Sequence, residues 1–207
     1  LFRDTVRLPN GKLATREVMR HPGAVCIVPL TDEGEVVIVR QFRHPFGRVL
    51  LEAPAGKLDP NEAPEDCARR ELSEETGAEA GELTFIGEYY PSVAVFDENI
   101  RLYLARNLTF HNQHTDEDEF LSVERIPLKT LVDQVLSGEI CDGKTQTAIL
   151  KTWLLEQNRK TGRTQNRSFR SGGTLFLCGR NAILSAVRFR ANYVLLNQNQ
   201  QCDTNQD

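Results

Sequence analysis

Apolar and polar positions alternate between two periods along this chain, and the changes of period mark its elements. Residues 5–8 and 13–19 flank Pro9-Asn10-Gly11-Lys12, where Asn-Gly favours the positive φ of a hairpin turn, so the chain opens on a β-hairpin. Ala24-Val25-Cys26-Ile27-Val28 and Glu35-Val36-Val37-Ile38-Val39 are short β-branched runs separated by the turn cluster Thr31-Asp32-Glu33-Gly34. Continuous apolar runs of that length suit strands buried on both faces. Residues 48–52, 83–90, 100–105 and 120–126 are four further strand candidates. Between them the spacing turns helical from Pro64 to Thr76. Pro suits the first helical position, Glu65 and Asp66 suit the positive end of the helix dipole, and Gly77 stops the helix. Residues 128–136, closed by Ser137-Gly138, and residues 144–156 carry apolar residues at steps of three and four and form two more helices. A mixed sheet covered by helices is the architecture this alternation predicts.

Composition changes that picture at one end. The chain has 207 residues, 40% hydrophobic and 26% charged, close to the globular average and long enough for one sizeable core plus extra material. Its net charge of −4 divides unevenly: residues 1–155 hold 17 Lys+Arg against 26 Asp+Glu, whereas residues 156–207 hold 8 against 3. An acidic body argues against a nucleic-acid surface, which needs clustered Lys and Arg. After Gln157 the chain is rich in Asn, Gln, Arg, Ser and Gly, and is expected to be a poorly ordered polar extension; a basic nucleic-acid arm is the functional alternative. The expected divisions are therefore residues 1–22, 23–156 and 157–207. No apolar run approaches the roughly 20 residues that span a bilayer, and no charged leader precedes an apolar stretch, so a cytoplasmic location is expected. Cys26, Cys67, Cys141, Cys178 and Cys202 are odd in number and scattered, which suits free thiols.

The chemistry lies in residues 56–78. On a helix with 3.6 residues per turn, Glu71 and Glu75 are one turn apart and Glu74 stands beside them. Three like charges on one face repel and invite a cation. Magnesium is the natural choice, because it takes hard oxygen ligands and keeps places for water and phosphate. Ala68, Leu72 and Ala78 can pack on the sheet and hold the acids still, while Arg70 can pair with Glu62 or a neighbouring carboxylate. Gly56 allows the turn out of the preceding strand, where the Ala55 carbonyl could complete the coordination.

Gly56 to Ala78 resembles the Nudix box, GX5EX7REUXEEXGU, at every specified position. Such a pattern arises by chance in on the order of 10⁻⁷ of chains this long. The resemblance implies an α/β fold, the Nudix-type α/β/α sandwich with a mixed sheet, here with an N-terminal β-hairpin. It also implies hydrolysis of a nucleoside diphosphate linked to another group, with Mg2+ as cofactor and Mn2+ as a substitute. Glu71, Glu74 and Glu75 match the family's metal-binding glutamates, with Ala55 as a main-chain ligand. Glu74 and Arg70 are carried into the catalytic set.

Other residues are similar to the ADP-ribose and nucleoside-diphosphate-sugar pyrophosphatase branch. Gln41-Phe42-Arg43 matches its Gln-aromatic-Arg element, and a guanidinium can grip two phosphate oxygens at once. Glu52, before Ala53-Pro54-Ala55-Gly56, matches its strand-to-box entrance, and Ser92 its substrate loop. Arg43, Glu52 and Ser92 are therefore the substrate-binding candidates. Asp116-Glu117-Asp118-Glu119 resembles the branch's acidic loop, which makes Glu117 the candidate base and Glu119 a further metal ligand. The branch typically has Ser-Pro-Gly-aromatic in that substrate loop, whereas this chain reads Ser92-Val93-Ala94-Val95. ADP-ribose is the expected substrate, with a GDP-sugar or broader nucleotide-sugar preference as alternative and a non-catalytic nucleotide sensor as a third reading. The resemblance further implies a homodimer built through the N-terminal strands.

Overall fold

In the computed structural model, which describes residues 1–111 and 121–162 and the backbone of 194–196, the strand β3 (Ala24–Pro29) divides two cores. All six of its residues are buried. Successive strand side chains point to opposite faces, so Ala24, Cys26 and Val28 enter one apolar cluster while Val25 and Ile27 enter the other. The unbroken apolar run read from the sequence is thus a strand covered on both sides.

β3 lies in a mixed four-stranded sheet of order β6-β3-β8-β7, with β6 (Ala55–Lys57), β7 (Ala78–Tyr89) and β8 (Ile100–Phe110). It runs parallel to β8 and antiparallel to β6, and β7 is antiparallel to β8. Helix α1 (Pro64–Thr76) covers the Val25 and Ile27 face through Cys67, Ala68 and Leu72, each fully buried. The other face packs against α2 (Leu128–Ser137), α3 (Gly143–Lys160) and an antiparallel sheet of order β5-β4-β9. Its strands are β4 (Glu35–Arg43), β5 (Arg48–Glu52) and β9 (Leu121–Pro127). The layers are those of the expected α/β/α sandwich.

The hairpin of β1 (Phe2–Arg7) and β2 (Leu13–Val18) pairs from Phe2 with Val18 to Arg7 with Leu13, and Gly11 takes the positive φ at its turn. β10 (Val194–Leu196) adds a third strand beside β1, within the region whose composition predicts an unordered extension. The remainder of that region, 163–193 and 197–207, lies outside the described residues. α3 continues through Lys160, four residues beyond the expected boundary at 156, with Arg159 and Lys160 in its last turn. Among the described residues no helix is long and apolar enough to cross a membrane. Cys26 and Cys67 are buried free thiols and Cys141 an exposed one; Cys178 and Cys202 lie outside the described residues.

Candidate functional site

Two charge networks meet at a cavity of about 570 Å³ whose walls include Arg43, Gly56, Arg70, Glu71 and Lys144. The first network belongs to α1. Pro64 starts this helix, Glu65 and Asp66 occupy its first turn, and Gly77 ends it at φ 66°, donating its N–H to the Ser73 carbonyl. Those local signals set the rotation of the helix and hence where its acids fall. Glu75 is 3% exposed and accepts the Ala55 N–H at 3.1 Å. One turn earlier, the Glu71 carboxylate lies across Gly56, where any Cβ would overlap it. The two acids therefore reach adjacent residues of β6, Glu75 at Ala55 and Glu71 at Gly56. From the sequence, Gly56 is expected to supply freedom to turn. The structure gives another reason: Gly56 sits within a strand, outside the left-handed region, and its lack of a side chain makes room for Glu71.

Arg70 ties the remaining acids together. Its Nε and Nη2 donate to the two oxygens of Glu62, each at 2.9 Å, and Nη1 donates to Glu71 and Glu74, also at 2.9 Å. Glu74 consequently turns towards Arg70, and the three acids do not share one target. Among the described residues no group of three or more His, Cys, Asp or Glu side chains is gathered as for a metal ion. The donors at β6 are the two carboxylates and the main chain.

Arg70, together with the Asp59 N–H, holds Glu62 down at about 2. A carboxylate whose pKa is depressed in the folded state contributes stability above its unfolded value of about 4.5, and loses that contribution as pH falls towards 2. Thermal melts between pH 6 and 3 are therefore expected to show a shallower acid-induced drop for Glu62→Gln than for the parent. Equal slopes would show that this pair does not act in the acid range.

The second network links β4 and β5 to the start of α3. Arg43 donates from Nε and Nη2 to the two oxygens of Glu52, each at 2.8 Å. Lys144 bonds the same carboxylate from the other side and Asp142 at 3.0 Å. Glu52 is 2% exposed. Burial works against its charge, but Arg43 and Lys144 outweigh burial and hold it below the usual carboxylate range. Arg43 thus spends its Nε–Nη2 edge on Glu52 and keeps the two Nη1 hydrogens and the second Nη2 hydrogen, an edge that can still meet two phosphate oxygens.

Lys144 is the site residue that sequence reasoning missed. A cation in the first turn of a helix opposes the dipole, and that local contradiction is the signal that could have revealed it. His21 and Glu98 also line the cavity, and the Gly23 N–H donates to His21 Nδ1 at 3.2 Å.

Ser92 stands elsewhere. It is exposed, and its carbonyl accepts the N–H groups of Val95 and Phe96, while its neighbour Pro91 lines the cavity. The loop that contains it is fastened to the hairpin. Met19 N–H donates to the Val95 carbonyl at 2.7 Å, His21 N–H to Asp97 at 2.8 Å, and Arg20 bridges Asp4 and Asp97. Glu117 and Glu119 lie outside the described residues.

The NUDIX domain model matches residues 19–144, a span that includes both networks. The ADP-ribose pyrophosphatase of Bacillus subtilis is 44% identical over 151 residues, 72% of this chain and 82% of that protein. A GDP-mannose pyrophosphatase from Enterobacter sp. is 35% identical over 62% of this chain and 75% of its own length. Among solved structures, that of an ADP compounds hydrolase superposes with a TM-score of 0.67 at 27% identity, covering 79% of this chain and 90% of that one. Domain, relatives and fold agree with the α1–β6 geometry: the chain belongs to the Nudix family of hydrolases.

Proposed function

We propose that this protein is a magnesium-dependent pyrophosphohydrolase that cleaves ADP-ribose to AMP and ribose 5-phosphate. The observation that carries this reading is the convergence of Glu71 and Glu75 on Ala55 and Gly56, in the wall of a cavity that also presents Arg43. Nudix hydrolases generally need a divalent metal, and this donor set fits one, since every group at the convergence offers oxygen. Glu71, Glu75 and the Ala55 carbonyl would hold the ion, with Glu119 as a further ligand. Hard oxygen donors favour Mg2+, with Mn2+ able to replace it. When bound, such an ion offsets the charge of the diphosphate and lowers the pKa of water.

The chain's own residues do the rest. Arg43 offers its Nη1 hydrogens and its second Nη2 hydrogen to phosphate oxygens, while Glu52 and Lys144 keep its guanidinium from swinging away. Arg70 holds Glu71 and Glu74 in place, and this keeps the carboxylates from repelling one another apart. Glu117 is the group proposed to accept the proton of the attacking water. The water oxygen bonds to one phosphorus as the bridging P–O bond breaks, and the bridging oxygen leaves with the other phosphate.

One observation favours a second substrate. Val93 and Ala94 replace the Pro and Gly of the ADP-ribose branch, and the similarity to a GDP-mannose pyrophosphatase gives a GDP-sugar as the alternative. The same proposal has the protein act as a cytoplasmic homodimer. The dimer is the one built through the N-terminal strands, and its support is their exposed apolar residues Leu1, Leu13 and Met19, the kind of surface a second copy covers.

Incubation with magnesium and a panel of nucleotide sugars, with products identified, tests the assignment. AMP and ribose 5-phosphate should appear, with kcat/KM for ADP-ribose at least about tenfold above GDP-sugars, the scale on which modest pocket differences discriminate. Faster GDP-sugar turnover would transfer the assignment to that class. Failure to cleave any nucleotide sugar would overturn it.

A further inference from the structure

The first turn of α3 is fastened to the main chain that enters the cavity. Asp142 caps the helix by accepting the Thr145 N–H at 3.0 Å. The same carboxylate oxygen also accepts the Thr145 hydroxyl and the Lys144 ammonium. A hydroxyl has one hydrogen to give and two lone pairs to offer. With its hydrogen spent on Asp142, Thr145 can only accept elsewhere, and it accepts the Ala53 N–H at 2.9 Å. Thr145 is fully buried and Ala53 is 1% exposed, so no water substitutes for this bond.

Ala53 occupies a sensitive place. On one side is Glu52, which holds Arg43; on the other are Pro54 and Ala55, the latter bonded to Glu75. Pro54 has no N–H, and its carbonyl accepts the Ile27 N–H at 2.8 Å. The Ala53 N–H is therefore the one main-chain donor between Glu52 and Ala55, and its acceptor is a side chain whose polarity Asp142 dictates.

We propose that Thr145 is a positioning residue that sets the main-chain path from Glu52 to Ala55, and thereby the spacing between Arg43 and the Glu71–Glu75 carboxylates. The proposal rests on the pyrophosphohydrolase reading above. Thr145→Val keeps the shape and the helix-capping N–H but leaves the Ala53 N–H buried without an acceptor, whereas Thr145→Ser keeps the hydroxyl. The experiment uses the full chain and measures Mn2+ binding without substrate, kcat and KM for ADP-ribose, and melting.

Thr145→Val is expected to weaken Mn2+ binding and lower kcat/KM by roughly tenfold or more, as loss of an outer partner of a metal site does. Thr145→Ser should return both to within about twofold of the parent, by the same reasoning. Val and parent proteins with equal Mn2+ affinity and kinetics, differing only in melting, would overturn the proposal. Thr145→Ala serves if the Val variant does not fold, and failure of both to fold would assign Thr145 to the scaffold and overturn the proposal as well. Glu75→Gln is the control. If that variant binds Mn2+ as the parent does, the underlying metal reading falls; if it loses Mn2+ while Thr145→Val does not, only the positioning role falls.

Discussion

Glu75→Gln is expected to lower kcat by roughly 10²–10³-fold, the loss that follows removal of one group stabilising transition-state charge. The structure explains why this exchange tests chemistry rather than folding. Glu75 is 3% exposed, and a glutamine of equal size fits the same space. The amide oxygen can still accept the Ala55 N–H, so the bond between α1 and β6 survives. What disappears is the negative charge, and in its place the amide presents two hydrogens to any cation beside Ala55. Steady-state kinetics over a magnesium titration, with melting in parallel, separates the effects. Melting within about 4 °C of the parent, roughly 1 kcal/mol for a domain this size, combined with lost turnover is the expected result. Parent-like turnover would remove Glu75 from the metal set.

Gly56→Ala should be nearly as damaging through space alone. Gly56 lies in a strand and does not need the left-handed conformation, so the backbone accepts alanine. The added methyl would overlap the end of the Glu71 side chain, whose carboxylate occupies its position. Glu71 must move, and the bond it accepts from Arg70 Nη1 moves with it. Displacement of a reacting group by about 1 Å costs roughly 10²-fold, and that is the expected fall in kcat/KM. Circular dichroism should show the parent's secondary structure. Unchanged kcat/KM would mean that the observed placement of Glu71 does not matter to turnover.

The two predictions differ in how far the sequence alone supports them. The bounds of α1 were legible because Pro64, the acidic first turn and Gly77 are local signals that act whatever surrounds them. That helix carries Glu71, Glu74 and Glu75, so the acidic half of the site could be read from spacing. β6 was not legible: three residues around a glycine carry no pattern of their own, and they become a strand only because β3 lies alongside. β7 begins at Ala78, earlier than the apolar pattern indicates, because pairing with β8 imposes extension on a polar stretch that includes Glu79 and Glu82. The sequence presents Arg43 and Glu52 as separate substrate contacts, whereas in the fold they bond each other. No spacing rule reveals that a strand end and a buried acid on its neighbour will meet. Lys144 and Thr145 reach the site from a helix distant in the chain, which only the packing of α3 on β3 brings close.

The staple between the N-terminal ribbon and the loop around Asp97 has an evolutionary consequence. Neither thread can change its main-chain path alone, since the Met19 N–H donates to the Val95 carbonyl and the Met19 carbonyl accepts the Asp97 N–H. A lineage that reshaped one thread would have to reshape the other with it, or cut the Arg20 tie first.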